Sequence, residues 1–302
     1  MLVLCDMKIL ALLFVASFLL TIPPVSSAEV YLYREGETVI GYVQTYKANN
    51  NESLIEIARK YDLGYNEIAD ANPDLEPFVP GEGTSIEIPT SWILPDVTSY
   101  EGIVINLSEM RLYYFFTEGG SRFVTTFPIG IGKEGNNTPT GNFRVIEKIV
   151  NPSWYVPESI KKEKPYLPKV LPPGPDNPLG SHAIRLSSRS ILIHGTNKPW
   201  GVGRRVSHGC IRLYPEDIPK VFELVPEGSP VTIVRQPIKI GTKNNRVFIE
   251  VNNDDAEENW NYFNEIVRIL IEKNLLQSIS TEKLYRALAE KRGIPFDISN
   301  QE

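Results

Sequence analysis

A chain of 302 residues with 42% apolar and 23% charged side chains has room for two domains of ordinary size, and its apolar content excludes a disordered one. The net charge of −6 is concentrated at one end, because residues 250–302 hold 11 acidic and 6 basic side chains, or −5 of that total. The near-neutral remainder carries no basic stripe and no aromatic–basic interleaving, which excludes a nucleic-acid partner.

The chain begins with Lys8 ahead of an apolar run, Ile9 to Ile22, followed by the small residues Ser26-Ser27-Ala28. The run is shorter than the roughly 20 residues a bilayer-spanning helix needs. Residues 1–28 therefore read as a secretory signal peptide, with an uncleaved anchor as the alternative. Export makes the cysteine count informative. Cleavage removes Cys5 and leaves Cys210 alone, so no internal disulfide can form in an oxidising compartment. Cys210 is then either a buried packing residue or a thiol kept for its reactivity.

Residues 29–95 read as a small separate module. Asn51 is the expected cap of a helix carrying Leu54, Ile57, Ala58 and Tyr61 and ending near Gly64. A second short helix carries Ile68 and Ala69 and stops at Asn72-Pro73. Val43–Tyr46 and Thr84–Pro89 flank the helices as strands, giving the order βααβ.

Residues 96–236 change to β patterning. Gly102–Asn106, Arg111–Phe116, Arg122–Pro128, Phe143–Val150, Ala183–Leu186, Ser190–His194 and Pro230–Arg235 are rich in β-branched and aromatic residues. Short strands divided by turn signals predict a mainly β, mostly antiparallel sandwich or barrel-like sheet. Between Asn151 and Gly180 lie eight prolines and little periodicity, the signature of a long functional loop. Trp154, Tyr155 and Tyr166 are candidates for one wall of a cleft, unless this loop is a plain surface crossover. Residues 237–302 form an extension without evident chemistry. It holds a hairpin about Lys243-Asn244-Asn245, a helix with Trp260, Phe263, Val267, Leu270 and Ile271 on one face, and a helix capped by Ser280 and stopped by Gly293.

The chemistry concentrates at Val206-Ser-His-Gly-Cys-Ile-Arg-Leu213. A thiol needs a nearby base to become a good nucleophile at neutral pH. His194, at the end of an apolar strand, and His208, two residues from the cysteine, are both candidates. His194 is preferred, since a catalytic base usually comes from another element, and His208 then helps shape the loop. Gly209 lets the backbone approach a substrate, and the Gly209 and Cys210 amides can face an oxyanion. Arg204, Arg205 and Arg212 bring positive charge that favours a thiolate and binds carboxylate. A zinc site on His194, His208 and Cys210 and a purely structural cluster are the alternatives; the first lacks a fourth ligand.

His194-Gly-Thr-Asn, a twelve-residue spacer from Gly195 to Val206, and Ser207-His-Gly-Cys-Ile-Arg212 resemble the signature of L,D-transpeptidases with a YkuD-like catalytic domain. Gly102-Ile-Val-Ile-Asn-Leu, Met110-Arg-Leu-Tyr-Tyr-Phe, Pro128-Ile-Gly-Ile-Gly and Thr138-Pro-Thr-Gly agree with it. Residues 29–95, through Glu52-Ser-Leu-Ile-Glu-Ile-Ala-Arg-Lys-Tyr and Ile68-Ala-Asp-Ala-Asn-Pro, are similar to a LysM domain. Asn49-Asn50-Asn51 departs from its usual turn, and Arg212 stands where many catalytic members carry asparagine. The combination resembles Gram-negative periplasmic members.

The resemblance implies a peptidoglycan L,D-transpeptidase, exported and associated with the cell wall. Cys210 is the implied nucleophile, His194 the acid–base and Gly195 the backbone group orienting the imidazole, with Ser207, His208, Gly209 and Arg212 around the substrate. It implies no metal and no organic cofactor. Cleavage falls between meso-diaminopimelate and D-alanine of a tetrapeptide stem, and the acceptor is a second stem (3→3 cross-link), a lipoprotein lysine, or water in an L,D-carboxypeptidase. A non-catalytic LysM wall-binding protein is the competing reading.

Overall fold

A computed structural model describes residues 29–188, 191–254 and 261–300. The apolar run at 9–22 and Trp260 lie outside the described residues. Among the described residues no helix is long and apolar enough to cross a membrane. The chain runs through β1 (Val30–Leu32), β2 (Val39–Gly41), β3 (Gln44–Lys47), α1 (Leu54–Lys60), α2 (Tyr65–Ala71), β4 (Ser85–Ile88) and β5 (Ser91–Ile93). β3 and β4 pair antiparallel around the two helices, and β2 pairs with β5. The order βααβ is thus present, with a shifted start to α1. Ser53, not Asn51, is the N-cap: its hydroxyl accepts the Glu56 amide at 3.3 Å, and the Glu56 carboxylate accepts the Ser53 amide at 2.9 Å. Asn51 has a φ of 64°, outside the extended backbone of an N-cap.

The central region follows, running through β6 (Gly102–Asn106), β7 (Arg111–Glu118), β8 (Ser121–Pro128), β9 (Ile131–Gly132), β10 (Gly141–Val150), β11 (Trp154–Tyr155), α3 (Glu158–Glu163), β12 (Val170–Leu171), β13 (His182–Leu186), β14 (Leu192–His194), β15 (Arg205–Ser207), β16 (Ile211–Arg212), α4 (Ile218–Leu224) and β17 (Pro230–Val234). Nine strands lie in the order β1-β8-β7-β6-β17-β10-β13-β14-β16. Pairing is antiparallel except at β6/β17 and β14/β16. The fold is mainly β, as the strand patterning predicts.

Alternation along the strands divides the sheet into two faces. Ile103, Ile105 and Leu112 enter one core with Ile184, Ile193 and the α4 residues Ile218 and Val221. Val104, Tyr113, Phe115 and Val124 enter a second core with Leu54, Ile57, Ile68 and Ile86 of the N-terminal module. That module therefore covers one face of the sheet instead of standing apart. Moreover β1, within the module's expected bounds, is hydrogen-bonded into the sheet beside β8.

A buried ion pair fastens this seam. Arg111 Nε and Nη2 donate to the two Glu67 carboxylate oxygens, each at 2.8 Å, and Nη1 donates to Thr126 Oγ1 at 2.7 Å. Trp92 Nε1 and the Gly64 amide also donate to Glu67, at 2.9 and 2.7 Å, and the guanidinium lies 4.1 Å from the Trp92 ring centroid. Nearby, the Asp62 and Asp217 carboxyls meet across the seam. Burial and the Asp217 charge push Asp62 well above the usual carboxylate range. Asp217 Oδ2 is buried with no other hydrogen-bond partner, so a proton on Asp62 completes the pair.

The extension consists of β18 (Ile238–Lys243), β19 (Arg246–Val251), α5 (Tyr262–Glu272), α6 (Thr281–Glu290) and β20 (Phe296–Asp297) around its own core. The expected hairpin is present; Asn244 and Asn245, with φ of 50° and 61°, make its turn. α5 is rotated from the expected face: Ile266, Ile269 and Leu270 are buried, while Phe263 and Ile271 are exposed. Ser280 caps α6 as expected, but Lys291 takes the left-handed C-terminal position two residues before Gly293.

Candidate active site

Strand register assembles the site. Across β13, β14 and β16, Ala183 is opposite His194, Arg185 is opposite Leu192, and His194 is level with Arg212. Since Ile184, Ile193 and Ile211 point into the core, alternation turns Ala183, Arg185, Leu192, His194 and Arg212 to the other face. Cys210 immediately precedes β16, level with Leu192 and on the same face. His194, Cys210, Arg212 and Arg185 all line one cavity of about 510 Å³.

His194 is buried and held through its ring. Nδ1 lies 2.6 Å from the Gly195 carbonyl oxygen. A carbonyl only accepts, so Nδ1 carries the proton and Nε2 keeps its lone pair. Burial, reinforced by the Arg212 charge, lowers the imidazole to about 4, so it is neutral at pH 7. Gly195 can hold this position because it lacks a side chain: a Cβ there would meet Ile218 Cγ2 at 2.9 Å.

Burial also pushes the Cys210 thiol up, against a backbone hydrogen bond from Leu192 and the charge of Arg212. The resting pair is therefore thiol and neutral imidazole. Of the three arginines expected nearby, only Arg212 reaches the cavity. Arg204 lies 4.0 Å above the Tyr65 ring, and Arg205 donates to Asn137 Oδ1 at 2.8 Å. Arg212 Nε is buried and has no hydrogen-bond partner among the described residues. Such a donor fits an anionic group entering the cavity.

The loop before the thiol is tightly tied. Ser207 Oγ donates to the Cys210 carbonyl at 2.6 Å and accepts the Gly209 amide at 3.1 Å. The Gly209 amide, one of the two expected oxyanion donors, is thus committed inside the loop. Gly209 has a φ of 102°, a conformation that favours glycine, and its carbonyl accepts Thr138 Oγ1 at 3.1 Å. Thr138 also receives the Gly132 amide at 3.0 Å. It is a supporting residue that was not singled out from sequence, although it lies in the Thr138-Pro-Thr-Gly segment.

Residues 151–180 are more ordered than their prolines suggest. β11 and β12 form a hairpin, α3 lies between them, and Trp154, Tyr155 and Ile160 line the cavity. Tyr166 does not; it is 79% exposed. At the end of α3, Glu163 faces His208 Nε2 at 3.4 Å and Lys133 Nζ at 3.7 Å, joining this cover to the catalytic loop. His208 thereby contacts the cover, and with Ser207 it also lines the cavity.

Comparison with known proteins places this geometry. Residues 100–233 match the YkuD family model, described as the L,D-transpeptidase catalytic domain. The chain is 44% identical over 205 residues to the Escherichia coli K12 protein Probable L,D-transpeptidase YcfS, covering 65% of this chain and 63% of that one. It is 41% identical over 238 residues to Probable L,D-transpeptidase YbiS of the same strain, covering 76% of each. Probable L,D-transpeptidase ErfK/SrfK of Salmonella typhimurium is 34% identical over 282 residues, covering 88% of this chain and 89% of the relative. On that similarity, and with the catalytic-domain match spanning both His194 and Cys210, the chain belongs to the L,D-transpeptidase family of enzymes.

Proposed function

We propose that the chain is an exported, periplasmic peptidoglycan L,D-transpeptidase that works by acyl transfer on Cys210. The observation that carries this reading is the shared cavity face of His194 and Cys210, with Nδ1–H committed to the Gly195 carbonyl. His194 Nε2 takes the thiol proton as sulfur attacks the carbonyl carbon between meso-diaminopimelate and D-alanine. The Cys210 amide faces the oxyanion, while Gly209 and Ser207 hold the turn that presents it. The imidazolium returns its proton to the departing D-alanine amine as the C–N bond breaks, leaving a thioester.

An amine then attacks the thioester, gives its proton to His194 and restores the thiol. Diaminopimelate of a second stem yields a 3→3 cross-link, a lipoprotein lysine yields attachment, and water yields carboxypeptidase action. None of these steps calls on a metal or organic cofactor. Residues 29–95 serve as a LysM-type glycan grip, a reading supported by the βααβ order.

Incubating the protein with disaccharide-tetrapeptide tests this directly. D-alanine release that disappears in Cys210→Ala is expected, and full activity in that variant would sink the assignment. Cross-linked dimer, peptide–lipoprotein conjugate or tripeptide then identifies the acceptor. Co-sedimentation of inactive Cys210→Ala with peptidoglycan tests the grip; binding without turnover by the unaltered chain would favour the non-catalytic reading.

A further inference from the structure

The Cys210 cavity is charged in one sense only. Among the described residues, Arg185 and Arg212 line it, whereas no aspartate or glutamate does. The two guanidinium groups come from strands on either side of β14, so they bracket the strand that carries His194. Arg185 is opposite Leu192, with which Cys210 is level. Two inter-strand spacings put the Arg185 and Cys210 backbones about 10 Å apart. Arg212, on β16, is two residues from the thiol in the chain.

Arg185 is also oriented. Its Nε donates to Glu147 Oε2 at 2.6 Å, and Glu147 is opposite Arg185 in the β10/β13 register. Neither terminal nitrogen of Arg185 has a protein partner among the described residues, and the side chain is 35% exposed at the cavity. One edge of the guanidinium is thus anchored and the other is presented to the occupant, the arrangement suited to paired bonds with a carboxylate.

We propose that Arg185 is a second carboxylate anchor, which selects donor stems whose diaminopimelate side chain ends in a free carboxylate. The proposal rests on the L,D-transpeptidation reading above and names what that site would recognise. In such a donor the D-alanine carboxylate carbon is three bonds from the scissile carbonyl carbon, roughly 4 Å, and the side-chain carboxylate carbon is six bonds away, roughly 7 Å. The nearer anion falls to Arg212, beside the thiol, and the farther one to Arg185, across β14. Amidation removes the charge and replaces an acceptor with a donor, leaving Arg185 without its pair.

The test compares D-alanine release from two disaccharide-tetrapeptides, one with the diaminopimelate side-chain carboxylate free and one with it amidated. The unaltered enzyme should favour the free acid by about tenfold in kcat/KM, a modest factor because Arg185 is partly solvated. Arg185→Gln should bring that ratio close to one, chiefly by raising KM for the free acid. Arg185→Lys, which keeps charge but not the fork, should fall between. The same ratio in Arg185→Gln as in the unaltered enzyme would overturn the Arg185 assignment and leave transpeptidation standing. Absence of D-alanine release from either peptide by the unaltered enzyme would overturn both.

Discussion

Two buried polar clusters lie on the same sheet, one at the seam with the N-terminal module and one in the Cys210 cavity, and they differ in how completely they are paired. At the seam, Arg111 is fully buried, yet Glu67, Thr126 and the Trp92 ring surround its guanidinium. In the cavity, Arg212 Nε has no partner, and His194 and Cys210 are held in their neutral forms by burial. A buried charge whose bonds are all made inside the protein fixes geometry. A buried cluster with a bond left unmade is poised for a substrate.

The sharpest separation comes from removing one member of each cluster. Cys210→Ala should cut D-alanine release by at least about a thousandfold while leaving thermal unfolding nearly unchanged. Glu67→Ala should do the reverse. Stranding Arg111 costs about 3–5 kcal/mol by chemical denaturation, while activity per folded molecule is largely retained. A large stability loss in the first variant, or none in the second, would break the contrast.

Falling and rising pH should stress the two clusters in opposite directions. His194 is lowered from 6.5 to about 4, so between those values the unfolded chain binds the extra proton and stability falls as pH falls. The window corresponds to about 3 kcal/mol, measurable as the difference between denaturation at pH 7 and pH 4. Asp62 is raised, so the folded chain holds the extra proton and stability falls as pH rises through its folded value. Arg111 and Lys220 act against that shift. Asp62→Asn, which keeps a donor toward Asp217, should flatten that loss; an unchanged profile would remove the shared proton from the account.

The resting thiol offers a finer check. With Cys210 raised by burial, iodoacetamide should label it slowly at pH 7 and faster only above the ordinary thiol range. The smallest effect is expected at Arg59, whose pair with Glu216 crosses the seam at 2.7 Å but is 44% and 42% exposed. Arg59→Ala should cost under about 1 kcal/mol, which would separate seam contacts that hold from those that merely touch.

Local pattern made part of this molecule readable in advance. The longer strands between Gly102 and Val234 followed from β-branched and aromatic runs, whereas the two- and three-residue strands β9, β11, β12, β15 and β16 did not, and a short motif marked His194 and Cys210 as candidates in a chain with few such residues. Arg185 was not readable as a cavity residue. It becomes one only through its register against Leu192 and Glu147, and an isolated strand carries no register. Glu67 and Arg111 are 44 residues apart and meet because the module folds onto the sheet. Ser53 and Asn51 are both good caps on composition; the positive φ at Asn51 decides between them. For α5, an apolar stripe broader than the buried face left its orientation ambiguous until Ile266, Ile269 and Leu270 were seen to pack.

The short strand β1 has a mechanical consequence. Because Val30–Leu32 is zipped to β8 before the βααβ unit begins, and β6 re-enters the sheet after it, that unit is an insertion tethered at both ends, not a bead on a leash. A polymer strand held by it would be presented to the thiol at a set offset, as work clamped to a bench meets a fixed blade. Lengthening either tether with flexible residues should then blur where along the wall the enzyme acts before it slows the chemistry itself.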